Sequence, residues 1–237
     1  MKKLLTLLLI AALLVSIIPM AAMAVRAPDA QLVQLLSDET ELRPNPFTDV
    51  RENHWFYWYV RDLYHFDIMT GTTPTTFTPN GTLTRAMVVA VLYRLEHVIL
   101  GEDPLMGELS ADFSDVPAHA WFAGYVDWAA SWGIVEGTGG GRFSPDANVT
   151  REQFAVMMYR WAEDFIGIDM NVPASFNLNN YFADSGQVSS WALEAMRWAV
   201  YNEMVTGTTS NTITPSGTAT RAQCAMILMR YVQLFES

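Results

Sequence analysis

Apolar residues recur at helical spacing in three segments of the chain, each of which opens on a threonine and an arginine. From a common start, the apolar positions lie at +3, +4, +7 and +11, which indicates one buried helix face. They are Val88, Val91, Leu92, Leu95 and Ile99; Phe154, Met157, Met158, Trp161 and Phe165; and Cys224, Ile227, Leu228, Tyr231 and Phe235. Equivalent stripes predict a central three-helix bundle around a pseudo-threefold axis. Cys224 is interpreted as a small core residue.

A shorter helix is predicted ahead of each of these segments, from apolar residues at i, i+3 and i+4. Its copies carry Val60, Leu63 and Tyr64; Val126, Ala129 and Ala130; and Met196, Ala199 and Val200. Between the two helices, Pro79, Pro145 and Pro215 forbid helix continuation and indicate a loop. Each unit is therefore predicted to form a helix, a loop and a second helix, and the fold class is all-α, mainly helical.

The ends of these helices are also marked in the sequence. Thr84, Thr150 and Thr220 are predicted N-caps. Gln153 and Gln223 complete a capping box three residues later, whereas Met87 breaks it in the first copy. Gly133 is a predicted C-cap of the shorter helix, and Asp67 and Glu203 occupy its place in the other copies.

The units are copies of one motif with nearly constant spacing. Phe47, Phe113 and Phe182 each begin a Phe-x-Asp sequence, and a tryptophan follows after 8, 8 and 9 residues. A glycine lies 16 residues beyond each tryptophan, and Thr-Arg begins 13 residues beyond that glycine. We define repeat 1 as residues 47–96, repeat 2 as 113–165 and repeat 3 as 182–235, preceded by a lead segment, 25–46. A single helix pair cannot bury its own stripe, so the repeats are expected to form one cooperative domain.

The first 24 residues are predicted to be a signal peptide. Lys2 and Lys3 form a positive end, an apolar run follows, and Ala22-Met23-Ala24 is a small-x-small cleavage site. A transmembrane anchor is the alternative, since the apolar run is just long enough to span a bilayer. Removing residues 1–24 takes away the only two lysines and no acid, so the net charge changes from −11 to −13 and every remaining cation is an arginine.

The composition and the motifs argue against several classes of function. With 25 acidic against 14 basic residues, nucleic acid is not an expected partner. One cysteine excludes an intramolecular disulfide framework, and no HExxH spacing or Cys cluster indicates a metal site. No carboxylate pair recurs beside a nucleophile, so an enzyme is not expected.

The ordered motif resembles the S-layer homology (SLH) repeat, of which the chain carries three tandem copies. The resemblance implies a non-catalytic, cofactor-free module secreted to the bacterial cell wall. It further implies a pseudo-trimer with grooves between repeats, which bind a secondary cell-wall polysaccharide carrying ketal-linked pyruvate. The alternative is a protein-interaction or assembly subunit of the surface layer, which binds other surface-layer proteins without a glycan.

Arg85, Arg151 and Arg221 are the first candidate binding residues. Each stands at the first position of a helix, where the helix dipole disfavours a cation and favours an anion. A ligand carboxylate would supply the missing charge. The alternative is that each arginine pairs with a repeat carboxylate, Asp49, Asp115 or Asp184, and both roles are compatible.

Two further sets complete the candidate site. Trp55, Trp121 and Trp191 offer an apolar platform for a sugar ring or, alternatively, anchor the shorter helix in the core. Gly71, Gly137 and Gly207 indicate a positive φ or the close approach of another group, and in the family this loop approaches the glycan. Arg94, Arg160 and Arg230 are assigned a structural role near helix C-termini. Repeat 2 follows the family pattern most closely, and its groove is expected to be the most competent.

Overall fold

The computed structural model describes residues 43–100, 112–163 and 168–234. The six α-helices in these ranges are α1 (Tyr57–His65), α2 (Arg85–Leu100), α3 (Ala123–Ser131), α4 (Arg151–Ala162), α5 (Leu193–Tyr201) and α6 (Arg221–Gln233). Over the same ranges, β structure is limited to isolated bridges between single residues. The all-α class is confirmed, and each repeat contributes one short and one long helix. The predicted signal peptide lies outside the described residues, as does the lead segment before residue 43.

The predicted helix ends are confirmed. Thr150 and Thr220 each form a capping box with the glutamine three residues later, whereas Thr84 accepts only the backbone N–H of Met87. Gly133 has a positive φ of 71° just after α3. Asp67 and Glu203, at the equivalent positions after α1 and α5, have φ of 57° and 58°. No helix within the described ranges is both long and apolar enough to span a bilayer.

Contacts between repeats follow a cyclic order. α2 packs against α3, α4 against α5, and α6 against α1, so each long helix lies on the short helix of another repeat. The backbone N–H groups that open the long helices follow the same order. Those of Arg85, Arg151 and Arg221 donate to the carbonyls of Ala147, Gly217 and Gly81 at 2.9, 2.9 and 2.7 Å. The third repeat thereby contacts the first, which supports the predicted pseudo-threefold arrangement.

The long helices contribute their apolar stripes to the core. Every stripe residue in the described ranges is buried, including Cys224; Phe165 and Phe235 lie outside those ranges. Burial raises the pKa of the Cys224 thiol to about 12, so this group stays a protonated core residue. The sequence interpretation of Cys224 is confirmed.

A buried carboxylate joins two long helices in the core. Glu96 of α2 is fully buried and accepts hydrogen bonds from the indole N–H groups of Trp161 in α4, at 2.7 Å, and Trp128 in α3, at 3.3 Å. Trp161 also stacks on Tyr231 of α6, with ring centroids 4.6 Å apart. Side chains of all three long helices therefore meet at Trp161.

We predict that Trp161→Asp destabilises the whole domain. The substitution removes an indole that contacts two other repeats and places a second carboxylate beside the buried Glu96. A buried, unpaired charge costs about 3–5 kcal/mol of unfolding free energy. Urea unfolding measures this loss, with Trp58→Asp as the matched control because Trp58 is 55% exposed. Equal unfolding midpoints for the two variants would show that the three long helices do not share a core.

Candidate functional site: grooves between the repeats

The three repeat aspartates hold the loops between the helices. Asp115 accepts hydrogen bonds from the backbone N–H groups of Phe143 and Ser144, at 2.8 and 2.9 Å. Asp49 and Asp184 make the same pair of bonds to the loops of their own repeats. Burial raises the pKa of Asp115 and Asp184, but these hydrogen bonds outweigh it and leave each pKa below its ordinary value.

The second N–H of each pair belongs to a residue with a strained backbone. Thr78, Ser144 and Thr214 have positive φ, at 59°, 60° and 49°, a region that residues other than glycine occupy only uncommonly. Each side chain also shares a 2.7 Å hydrogen bond with a threonine hydroxyl six residues earlier in the chain. Sequence reasoning missed this strain, because a residue that precedes proline is ordinarily extended. The aspartate therefore keeps the loop in a conformation that its own residues disfavour.

Each candidate arginine reaches the loop of a different repeat. The buried Arg85 donates through Nε to the carbonyl of Phe143 and through Nη2 to the carbonyl of Glu136, both at 2.8 Å. Arg151 makes the same bonds to Ile213 and Thr206. Arg221 makes them to Phe77 and Thr70. Repeat 1 thus holds the loop of repeat 2, repeat 2 that of repeat 3, and repeat 3 that of repeat 1.

The suggested arginine–aspartate pair is indirect. One residue links the two groups: the N–H of Phe143 donates to Asp115, and the carbonyl of Phe143 accepts from Arg85. Burial lowers the pKa of Arg85, Arg151 and Arg221, and the charges of Asp115, Asp184 and Asp49 oppose that effect. The arginines are therefore buried cations whose hydrogen-bond partners are carbonyl groups of another repeat.

The repeat glycines mark a close approach rather than a positive φ. A Cβ on Gly71 would lie 2.3 Å from the carbonyl oxygen of Thr73, and a Cβ on Gly207 would lie 2.3 Å from that of Thr209. Contacts this short exclude any side chain unless the loop moves. A Cβ on Gly137 would lie 2.9 Å from the carbonyl oxygen of Arg142, five residues later in the same loop. Of the two sequence interpretations, close approach is confirmed.

The repeat tryptophans lie on the surface. Trp55, Trp121 and Trp191 are 56%, 59% and 57% exposed, so the interpretation that they anchor the core is wrong. The residues that follow Trp55 and Trp191, Phe56 and Ala192, are buried instead. Because the tryptophans precede the first turn of the short helices, their neighbours fill the core and the indoles remain accessible.

The candidate arginines, glycines and tryptophans meet in two grooves. Each groove is lined by residues from three repeats. Groove 1, of about 370 Å³, is lined by Gly71 and its loop, by Arg94 of α2, by Trp121 of repeat 2 and by Arg221 of repeat 3. Groove 2, of about 400 Å³, is lined by the equivalent set. That set is Gly137, Arg160, Trp191 and Arg85.

The sequence prediction for Arg94, Arg160 and Arg230 is only partly confirmed. Arg94 lies in the middle of α2 and contacts the ring of Tyr125, so its predicted position near a helix C-terminus is wrong. Arg160 and Arg230 do lie in the last turns of α4 and α6. Arg160 forms an ion pair with Glu136 at 3.1 Å, and Arg230 donates to the carbonyl of Glu203. Arg94 and Arg160 line the grooves, a role that sequence reasoning did not assign.

Comparison with known proteins identifies the family. The sequence profile of the S-layer homology domain matches residues 46–86, 112–155 and 181–225, which together make up more than half of the chain. The chain therefore belongs to the S-layer homology domain family and carries three tandem copies of that domain.

The proteins that are similar in sequence to this chain include both enzymes and surface proteins. An endoglucanase of Bacillus sp. (strain KSM-635) is 31% identical over 228 residues, which cover 96% of this chain and 22% of that protein. A surface-layer 125 kDa protein of Lysinibacillus sphaericus is 31% identical over 50% of this chain and 10% of its own length. A cellulosome-anchoring protein of Acetivibrio thermocellus is 24% identical over 49% of this chain and 26% of its own length. The chain thus spans at most about a quarter of each relative's length.

We predict that stability falls on acidification because of the loop carboxylates. The folded-state pKa values of Asp115 and Asp184 lie below the unfolded values, so their stabilisation is present above about pH 4 and is lost as the pH falls through the folded-state values. The double variant Asp115→Asn/Asp184→Asn should be less stable at pH 7 and lose less stability on acidification. Thermal melts from pH 7 to pH 2 test this, with the exposed Asp146→Asn as control. Parallel profiles for all three proteins would contradict it.

We predict that Arg221→Ala destabilises the fold. The substitution removes both hydrogen bonds from repeat 3 to the loop of repeat 1 and leaves two carbonyls without their donors. The expected loss is about 2–5 kcal/mol of unfolding free energy. Arg221→Lys should recover only part of it, since one ammonium group cannot reproduce the guanidinium fork. Chemical denaturation measures the loss against the exposed control Arg51→Ala, and a loss no larger than the control's would refute the assigned role.

Proposed function

We propose that the protein is a non-catalytic module that anchors to the bacterial cell surface by binding an anionic cell-wall polysaccharide in the grooves between its repeats. The observation that carries this proposal is the composition of the grooves. Each combines a buried arginine, a second arginine and an exposed indole, contributed by three different repeats. Membership of the family supports the surface location, as do the similar surface-layer and cellulosome-anchoring proteins.

The arginines suit a carboxylate ligand. Arg221 uses Nε and Nη2 on the loop carbonyls, so its Nη1 group and the second Nη2 hydrogen are left for a ligand in groove 1. Arg94 supplies a second guanidinium in the same groove. Charge-assisted hydrogen bonds to a carboxylate are about twice as strong as neutral ones, and they are stronger still where burial excludes water. A pyruvate ketal on a sugar presents such a carboxylate.

The indole suits the sugar that carries the carboxylate. Trp121 presents its ring at groove 1 with more than half of its surface exposed. A sugar ring has an apolar face of C–H groups, and burying that face on an indole removes apolar surface from water. The carboxylate and the ring would thus be recognised by side chains of different repeats. A ligand of this kind requires the folded assembly of repeats and not a single repeat.

Charge distinguishes the two grooves. The described residues that line groove 1 include two arginines and no carboxylate. In groove 2, Glu136 lines the wall and pairs with Arg160, which neutralises one of its two cations. We therefore propose groove 1 as the stronger anion site, although the sequence pattern favoured repeat 2.

The experiment compares binding of the protein to cell walls with and without their secondary polymer. We expect Arg94→Gln and Trp121→Ala each to weaken binding about tenfold, equivalent to ~1.4 kcal/mol. The matched controls are Arg51→Gln and Trp58→Ala, which change the same residue types at exposed positions outside the groove linings. Chemical removal of pyruvate should weaken wild-type binding by a similar factor and should not add to the effect of Arg94→Gln.

Three outcomes would refute parts of the proposal. Binding that survives removal of the polymer would point to a protein or peptidoglycan partner. Binding that survives removal of pyruvate alone would leave an anionic polymer with a different acidic group. Equal affinity for the groove variants and their controls would exclude groove 1 as the site. Thermal melts of each variant separate loss of binding from loss of fold.

A further inference from the structure

An aromatic cavity, formed by repeat 3 and by the segment that precedes it, lies outside the two grooves. It has a volume of about 450 Å³, and its lining includes Phe176, Tyr181, Tyr201 and Glu203. Phe176 stacks on Tyr181 with centroids 5.1 Å apart, and Tyr201 meets Phe176 edge-on at 5.3 Å. Tyr181 and Tyr201 nevertheless remain 52% and 45% exposed. We call this site the tyrosine cavity.

In repeat 1, an arginine side chain occupies the place that is equivalent to the tyrosine cavity. There the guanidinium of Arg43, from the lead segment, lies 3.8 Å above the ring of Tyr64. Its Nη2 donates to the backbone carbonyl of Tyr64 and to the carboxylate of Asp67, the latter at 2.8 Å. The backbone N–H of Arg43 also donates to Nδ1 of His65. The repeat alignment places Val200, Tyr201 and Glu203 at the positions of Tyr64, His65 and Asp67.

An acid follows the short helix in repeats 1 and 3. Asp67 and Glu203 have positive φ, a conformation that is unfavourable for a residue with a side chain and that glycine adopts freely. Repeat 2 has Gly133 there, together with Ala130 and Ser131 in place of the other two residues. In repeat 1 the acid forms an ion pair with Arg43. In repeat 3, Glu203 is one of the residues that line an open cavity, and its backbone carbonyl accepts a hydrogen bond from Arg230.

The wall of the tyrosine cavity is fixed in place. Arg197 of α5 donates hydrogen bonds to the backbone carbonyl of Phe176, at 3.3 Å from Nε and 3.1 Å from Nη2, and to that of Pro173 at 3.0 Å. The ring of Phe176 is in turn held between Tyr181 and Tyr201. A preformed aromatic wall beside a carboxylate is the arrangement that recognises an organic cation, through cation–π contact and an ion pair.

We propose that the tyrosine cavity binds an arginine side chain presented by a segment of a partner protein. The guanidinium contacts the tyrosine rings and pairs with Glu203, as Arg43 contacts Tyr64 and pairs with Asp67 in repeat 1. This is a protein-docking site in addition to the proposed glycan grooves, and it does not depend on them. It gives a surface-anchored module a place to hold an assembly partner.

The test uses N-acetyl-L-arginine amide as the probe and its citrulline analogue as the neutral, isosteric control. Binding to the full-length protein is followed by NMR chemical shifts of the cavity residues. The variants Glu203→Gly and Tyr201→Ser install the residues of repeat 2, which suit the same backbone. We expect saturable binding of the arginine probe, at least about tenfold weaker binding of citrulline, and a similar loss in both variants. Asp146→Asn, an exposed acid on a loop of repeat 2, should bind like the wild type.

Each other result overturns the proposal. Equal binding of the arginine and citrulline probes would show that the cavity does not recognise the positive charge of the guanidinium. Unchanged binding in Glu203→Gly would show that Glu203 does not pair with the guanidinium. Binding of methyl glucoside at the same residues, without binding of arginine, would make the cavity a carbohydrate site. Because the probe contains no sugar, loss of polymer binding in the groove variants leaves this result unaffected, and the two proposals fail separately.

Discussion

The arginine at the start of each long helix is the interaction on which the rest of the molecule depends. Arg85 bonds to the carbonyls at both ends of a loop in repeat 2, and Asp115 holds the same loop through the N–H groups of Phe143 and Ser144. The loop is therefore clamped between a cation of one repeat and an anion of another. Because the clamp recurs from repeat 1 to 2, from 2 to 3 and from 3 to 1, no repeat completes its own loop.

This clamp also explains a feature that is unfavourable when the helix is considered alone. A cation at a helix N-terminus opposes the helix dipole, and from the sequence this suggested an anionic ligand. In the structure the carbonyls of another repeat already supply negative partial charge to Nε and Nη2 of each arginine. The local cost is thus offset within the protein. In our proposal, an anion is bound by the guanidinium N–H groups that the loop carbonyls do not use. The same arginine side chain can therefore have both a structural and a functional role.

Sequence periodicity predicted the helices within each repeat but did not predict the contacts between repeats. The helices, capping boxes and buried stripes follow from local spacing, and all were confirmed over the described residues. Which loop receives Arg85 depends on how the repeats are arranged in space, and spacing along the chain carries no such information. The exposure of Trp121 was also undetermined, because it precedes α3, where helical periodicity begins. The buried Glu96 was missed because its partners, Trp128 and Trp161, belong to another repeat.

Threefold repetition of the clamp leaves the rest of each repeat free to diverge. The clamp uses backbone carbonyls as acceptors, so residues such as Glu136 and Thr70 can differ without loss of the bond. Glu136 then changes the charge of groove 2 by pairing with Arg160, whereas the described residues that line groove 1 include no carboxylate beside Arg94. The position after the short helix diverges in the same way, from glycine in repeat 2 to an acid in repeats 1 and 3. A scaffold held by main-chain acceptors thus allows three similar units to carry three different surfaces.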